Sequence, residues 1–95
     1  MATLNVAVHD QAGKPVPDQL VTINTFDAHD WAKPGIEINP NPRRTGPDGV
    51  INFYSGPPLG GEILVQATAQ NGTSDPIGFD GTADVLVTVT LIPFG

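Results

Sequence analysis

The stretch Thr25-Phe26-Asp27-Ala28-His29-Asp30-Trp31 gathers an imidazole, two carboxylates and two aromatic rings within seven positions. Imidazole and carboxylate both bind zinc and similar ions, and Asp27 and His29 share a face if the chain is extended there. A structural zinc site takes four protein ligands and a catalytic one three. The chain has no cysteine and only one other histidine, His9, so no metal and no cofactor are expected. A hydrolytic triad can be written from Ser55 or Ser74, His29 and an aspartate, but neither serine sits at nucleophile-elbow spacing. Asp80 and Asp84, in Asp-Gly-Thr-Ala-Asp, lack the spacing of an EF-hand and read as a turn with solvated acids. No catalytic residue is assigned, and the chain reads as a non-enzyme.

Partner contact is the better use for these side chains. A single tryptophan in a long loop either folds back as a lid over the core or stands out as an interface anchor, and for Trp31 the lid is favoured. Phe26 has the parity of Thr22 and Asn24, opposite to Val21 and Ile23, which places it with Trp31 in an exposed aromatic pair. Asp27, His29 and Asp30 complete that surface. Arg43 and Arg44 stand beside Asn-Pro-Asn-Pro in an acidic chain, either to meet a partner's carboxylates or to discourage strand-on-strand association at an edge. Phe94 follows a proline near the C-terminus and packs on the domain's own edge or on a neighbour.

The elements that hold these residues are strands. Ten prolines and eleven glycines cut the chain into short pieces that alternate apolar and polar residues. Leu4, Val6 and Val8 face one way, with Asn5, Ala7 and His9 opposite. Val21 and Ile23 continue inward after an Asp-Gln-Ala-Gly-Lys-Pro turn region. The irregular segment 27–44 contains a candidate strand at 35–39, with Pro40 and Pro42 confining it to an edge or loop. Gly46 to Gly49 reads as a tight turn, then Ile51 and Phe53 alternate with Asn52 and Tyr54. Ile63, Val65, Ala67 and Ala69 share a face. Asn71-Gly72 suits a type I′ hairpin, a weak strand follows at 77–79, and Val85, Val87, Val89 and Leu91 mark a last strand expected at the centre of its sheet. Asn71-Gly72-Thr73 also fits a glycosylation acceptor, for which the turn is the preferred reading.

About seven such strands, each with one apolar face, predict an all-β antiparallel β-sandwich filling residues 1–95 as a single domain. A net charge of −6 opposes nucleic-acid phosphates and anionic membrane surfaces, so neither is expected as a partner. The opening residues have no basic, apolar leader, and no run is long enough to span a membrane as a helix.

Three stretches, 6–23 (VAVHDQAGKPVPDQLVTI), 45–53 (TGPDGVINF) and 57–72 (PPLGGEILVQATAQNG), resemble the prealbumin-like group of immunoglobulin-like sandwiches. That group includes carboxypeptidase regulatory-like domains and adhesin B-type repeats. The resemblance implies the fold; such domains serve as spacers, adhesins, decoration proteins and enzyme appendages. Relatives with an isopeptide bond need a first-strand lysine and a last-strand asparagine, and this chain has neither. A hydrolytic relative needs a C-terminal Tyr-Arg-Gly-Ser, whereas this chain ends Leu-Ile-Pro-Phe-Gly. Iron dioxygenases on this sandwich need two tyrosines, and Tyr54 is the single one.

The expected function is therefore that of a structural or interaction protein. Its expected form is a bacteriophage virion accessory or capsid decoration protein, made in the host cytoplasm and carried on the virion. Its partner would be a capsid or other virion protein, with a homo-oligomer such as a trimer possible at symmetry axes. The alternative is a binding module of a secreted or cell-surface bacterial adhesin or carbohydrate-active enzyme, with Trp31 stacking on a sugar.

Overall fold

Period-two alternation becomes strand wherever one face can be buried; the computed structural model, which describes residues 2–30, 33, 38 and 41–92, has eight strands, of which the two shortest bury neither of their residues. They are β1 (Ala2–His9), β2 (Leu20–Asp27), β3 (Arg43–Arg44), β4 (Val50–Gly56), β5 (Ile63–Ala69), β6 (Gly72–Thr73), β7 (Ile77–Phe79) and β8 (Val85–Thr90). Among the described residues there is no helix. One sheet has the order β4-β1-β8, and the other the order β3-β2-β5-β6, with β7 also on β5. The inward side chains of both sheets form one core, with Leu4, Val6, Val8, Val21, Val65, Val87 and Val89 fully buried. Each such side chain contributes roughly 1.5–3 kcal/mol by leaving water. The result is a two-layered, sandwich-like all-β arrangement.

The alternation of β2, β5 and β8 is as the sequence predicts, and β2 pairs with β5 without a shift from Val21↔Ala69 to Asp27↔Ile63. β6 and β7 are two pieces of one edge strand, parted at Ser74 to Pro76 because proline has no amide to give the ladder. Ser74 bridges the break: its amide donates to the Ala67 carbonyl (2.8 Å) and its hydroxyl oxygen accepts from the Ala67 amide (2.9 Å).

Several expectations need correction. The last strand is not central: among the described residues β8 pairs only with β1, which is the middle strand of its sheet, and the two run parallel. The wholly antiparallel expectation thus fails at this one pairing. Ala7, assigned to the solvent side, is buried, since its methyl lies on the middle strand between Val50 and Thr88. Tyr54 does not follow Asn52 outward. A bulge in the β1–β4 register sets it opposite Leu4, where its ring meets Phe79 edge-on at 5.7 Å.

The β5–β6 hairpin turns on Gln70 and Asn71, since Ala69 pairs with Gly72, and of Asn71 and Gly72 only Asn71 has a positive φ, at 71°. It is therefore not the type I′ turn expected at Asn71-Gly72. Of the candidate strand at 35–39, only Ile38 is among the described residues; it lies in no strand and is buried in the core.

Candidate functional site

The loop after β2 is shaped by its own polar groups. Asp27 ends the strand with its amide donating to the Lys33 carbonyl (3.1 Å), while its carboxylate accepts from the His29 amide (2.8 Å). This is an Asx-turn, the use for which aspartate is selected at strand ends. The Lys33 amide then donates to the Asp30 carbonyl (3.0 Å). His29 and Asp30 are exposed, and Phe26 is half-buried on the outer face of its sheet, opposite Leu64. Trp31 and Phe94 lie outside the described residues. Among the described residues no three of His, Cys, Asp and Glu come together. His9 and His29 are at opposite ends of the fold: the His9 end carries Leu91 and Asn71, whereas Asp27 pairs with Ile63.

The candidate contact residues divide in the same way. Phe26, Asp27, His29 and Asp30 share one end. Arg43 and Arg44 pair with Val21 and Leu20, six residues back along β2 and so about 20 Å away. Both arginines also have internal duties. The Arg43 guanidinium donates to the Asn52 carbonyl on β4, joining the edges of the two sheets. Arg44 donates to the Asp18 carbonyl (3.0 Å) and lies 3.9 Å from its carboxylate, an exposed pair of little energetic weight.

Ser74 and the acidic candidates are committed to the main chain as well. The Ser74 hydroxyl is buried and also donates to the Asp75 carbonyl (3.1 Å), whereas Ser55, the other serine candidate, is exposed on β4. Asp80 accepts from the Thr82 hydroxyl (2.6 Å) and the Thr82 amide (2.9 Å). The hydroxyl bond first, and the amide bond after it, hold the Asp80 carboxyl below the usual aspartate value. Asp84, read from sequence as a solvated acid, accepts from the Thr3 amide (2.8 Å) and so clasps the start of β1 to the start of β8.

Sequence reasoning missed Asn41. Its side-chain oxygen accepts from the Ile23 amide (3.0 Å) and its amide group donates to the Ile23 carbonyl (2.8 Å). The side chain thus behaves as a strand residue next to Pro42, which cannot donate; the Asn41-Pro42 peptide is cis. The only advance signal was an asparagine repeated between prolines.

Charge follows the same division. Among the described residues, Asp27, Asp30, Glu62, Asp80 and Asp84 lie at the β2 loop end with Lys33, whereas Asp10, Asp18 and Asp48 at the other end are matched by Lys14, Arg43 and Arg44, and Asp75 lies between them at the break of the β6–β7 edge. A shallow groove of about 280 Å³ on the outer face of the larger sheet is lined by Gln19, Leu20, Thr22, Thr68, Ala69 and Gln70. None of these titrates near neutral pH, so the groove offers no acid or base. Compared with known proteins, the chain matches no family model, and no curated protein is significantly similar to it.

Proposed function

We propose that this chain is a non-enzymatic structural or interaction protein on an immunoglobulin-like sandwich of the prealbumin-like kind. One observation supports the first half: four of the candidate reactive side chains that the structure describes are spent on the backbone. Asp27, Asp80, Asp84 and Ser74 all hold main-chain groups, so they act as scaffold. The fold assignment is supported by the motif order. In the immunoglobulin constant arrangement the first two strands share a sheet, whereas here β1 lies between β4 and β8, and β2 is in the other layer. That difference separates the chain from the immunoglobulin constant arrangement, and the motif order alone supports the prealbumin-like branch.

The specific form proposed is a virion accessory protein seated on a repetitive protein lattice. The acidic β2 loop end fits a neutral or basic protein surface and disfavours phosphate-bearing partners. Electron microscopy of particles made with and without this chain tests it. Extra density at lattice positions, reduced by Asp30→Lys with His29→Ala, is the expected result. A chain that co-purifies with no particle ends the virion form.

A further inference from the structure

Among the described residues, each sheet edge is blunted except one. A bare edge presents unpaired amides and carbonyls to any other strand, and proteins suppress this with short strands, charges, prolines or bulges. β3 is two residues long, both arginine, and follows Pro42. On the opposite side β6 and β7 are broken at Ser74-Asp75-Pro76. At β4 the Val50 amide is taken by the Asp48 carboxylate (3.1 Å), the Val50 carbonyl by the Gly46 amide (3.1 Å), and the Asn52 carbonyl by Arg43. β8 has none of these devices. It reads Val-Leu-Val-Thr-Val-Thr, six residues without charge, proline or bulge.

The orientation of its backbone follows from the β1 pairing. The Leu91 amide donates to the His9 carbonyl of β1 (2.8 Å), so by alternation the amides and carbonyls of Leu86, Thr88 and Thr90 point away from β1. Among the described residues no backbone partner meets those of Leu86 and Thr88. Beyond them the Ile92 amide donates to the Asn71 carbonyl (2.8 Å), and Gly72 sits against the Thr90 carbonyl, so the β5–β6 hairpin covers that end. The open part of the edge is Val85 to Val89, with Leu86 58% exposed beside it.

We infer that β8 is a self-association edge, and that two copies of this chain pair β8 to β8, antiparallel, across a two-fold axis at Val87. In that register Leu86 of each copy exchanges two main-chain hydrogen bonds with Thr88 of the other, and the hairpin-covered Thr90 end stays outside the bonded stretch. The two Leu86 side chains become diagonal neighbours on the outer face, and half-buried Val85 meets Val89 across the seam.

A second copy is the occupant for which this edge is self-complementary, and because β8 is uncharged the pairing adds no repulsion of its own. Two chains of net charge −6 repel over most of their surfaces, and β8 is a neutral strip on which they can meet. The flanking Asp84 residues would sit about 20 Å apart, beyond the screening length of about 8 Å at physiological salt. Because a two-fold strand pair is self-complementary and closes, association stops at the dimer.

The test is sedimentation of the intact protein together with residue-resolved amide exchange. The interface is small, so dimer is expected to accumulate between about 0.1 and 1 mM protein. Across that range exchange at the Leu86 and Thr88 amides slows by about tenfold, while the Val87 amide, already bonded to β1, does not change. Thr88→Pro removes an outward amide without touching a bond inside the fold, and abolishes both effects. Should Thr88→Pro fail to fold, Leu86→Lys serves instead, setting like charges diagonally across the seam. A wild type that stays monomeric at about 1 mM, a trimer or fibre in place of a dimer, or a dimer indifferent to both substitutions would each overturn the inference.

Discussion

At the scale of single residues, polar side chains here complete the backbone's hydrogen bonding. Asn41 shows this most clearly: two bonds reach from one side chain to the amide and carbonyl of Ile23, standing in for a strand residue beside a proline. Truncating it leaves two partly buried main-chain groups on β2 without a partner, which costs about 1–3 kcal/mol. Asn41→Ala is therefore expected to lower the unfolding free energy by that amount, read as a lower denaturant midpoint with an unchanged slope, and Asn41→Asp, which keeps the acceptor and loses the donor, to fall between. An Asn41→Ala protein as stable as the wild type would mean that water replaces both bonds at no cost. Such a role was not legible in the sequence, because the two partners are eighteen residues apart and an asparagine between prolines looks like any loop. The Asp27 turn was half legible. Residues 25–31 read as a contact or lid loop, yet Thr25 to Asp27 still belong to β2, and the contact of the Asp27 carboxylate with the His29 amide depends on where that strand stops.

Elements are set by which faces and edges can be covered, and here sequence reading finds the buried faces, apart from Ala7 and Tyr54, and fails on edges. The valines of β8 announce a buried face, and Val87 and Val89 are buried; nothing in that pattern says whether the strand has one neighbour or two. The sign of a middle strand was on β1, where small Ala7 occupies the outward position. Tyr54 was misplaced because a bulge adds a residue on one strand only, a property of the pair.

Gly72 belongs to the same category. Its turn role was anticipated, yet its conformation is ordinary and its function is contact: an added Cβ would lie 2.8 Å from the Thr90 carbonyl oxygen and 3.1 Å from Val89 Cγ1. The hairpin and β8 can approach only because no side chain intervenes. Gly72→Ala is expected to cost about 1–3 kcal/mol as the two elements separate. Gly61→Ala, where a Cβ would meet nothing within 4 Å, should stay within about 0.5 kcal/mol. Thermal unfolding of the two variants side by side checks this, and equal midpoints would remove the contact argument.

For the molecule as a whole, the consequential feature is the placement of charge. Among the described residues, five carboxylates against one lysine crowd the β2 loop end, while the opposite end is balanced. These groups are largely solvated, so their repulsion is weak and is screened over about 10 Å at 0.1 M salt. Salt should accordingly stabilise the fold: raising sodium chloride from about 10 to 300 mM relieves on the order of 0.5 kcal/mol, a rise of about 2–4 °C in the midpoint for a domain of this size. Sodium chloride is the appropriate salt, since sulfate would strengthen apolar burial independently of screening. Position can be separated from net charge with two substitutions that each change the total by one unit. Glu62→Gln removes a charge from the crowded end, and Gln70→Lys adds one to the hairpin at the balanced end. If polarity governs, Glu62→Gln raises the low-salt midpoint and flattens the salt response more than Gln70→Lys does. Equal responses would show that only the total matters, and would remove the electrostatic reason for assigning the β2 loop end to a neutral or basic protein surface.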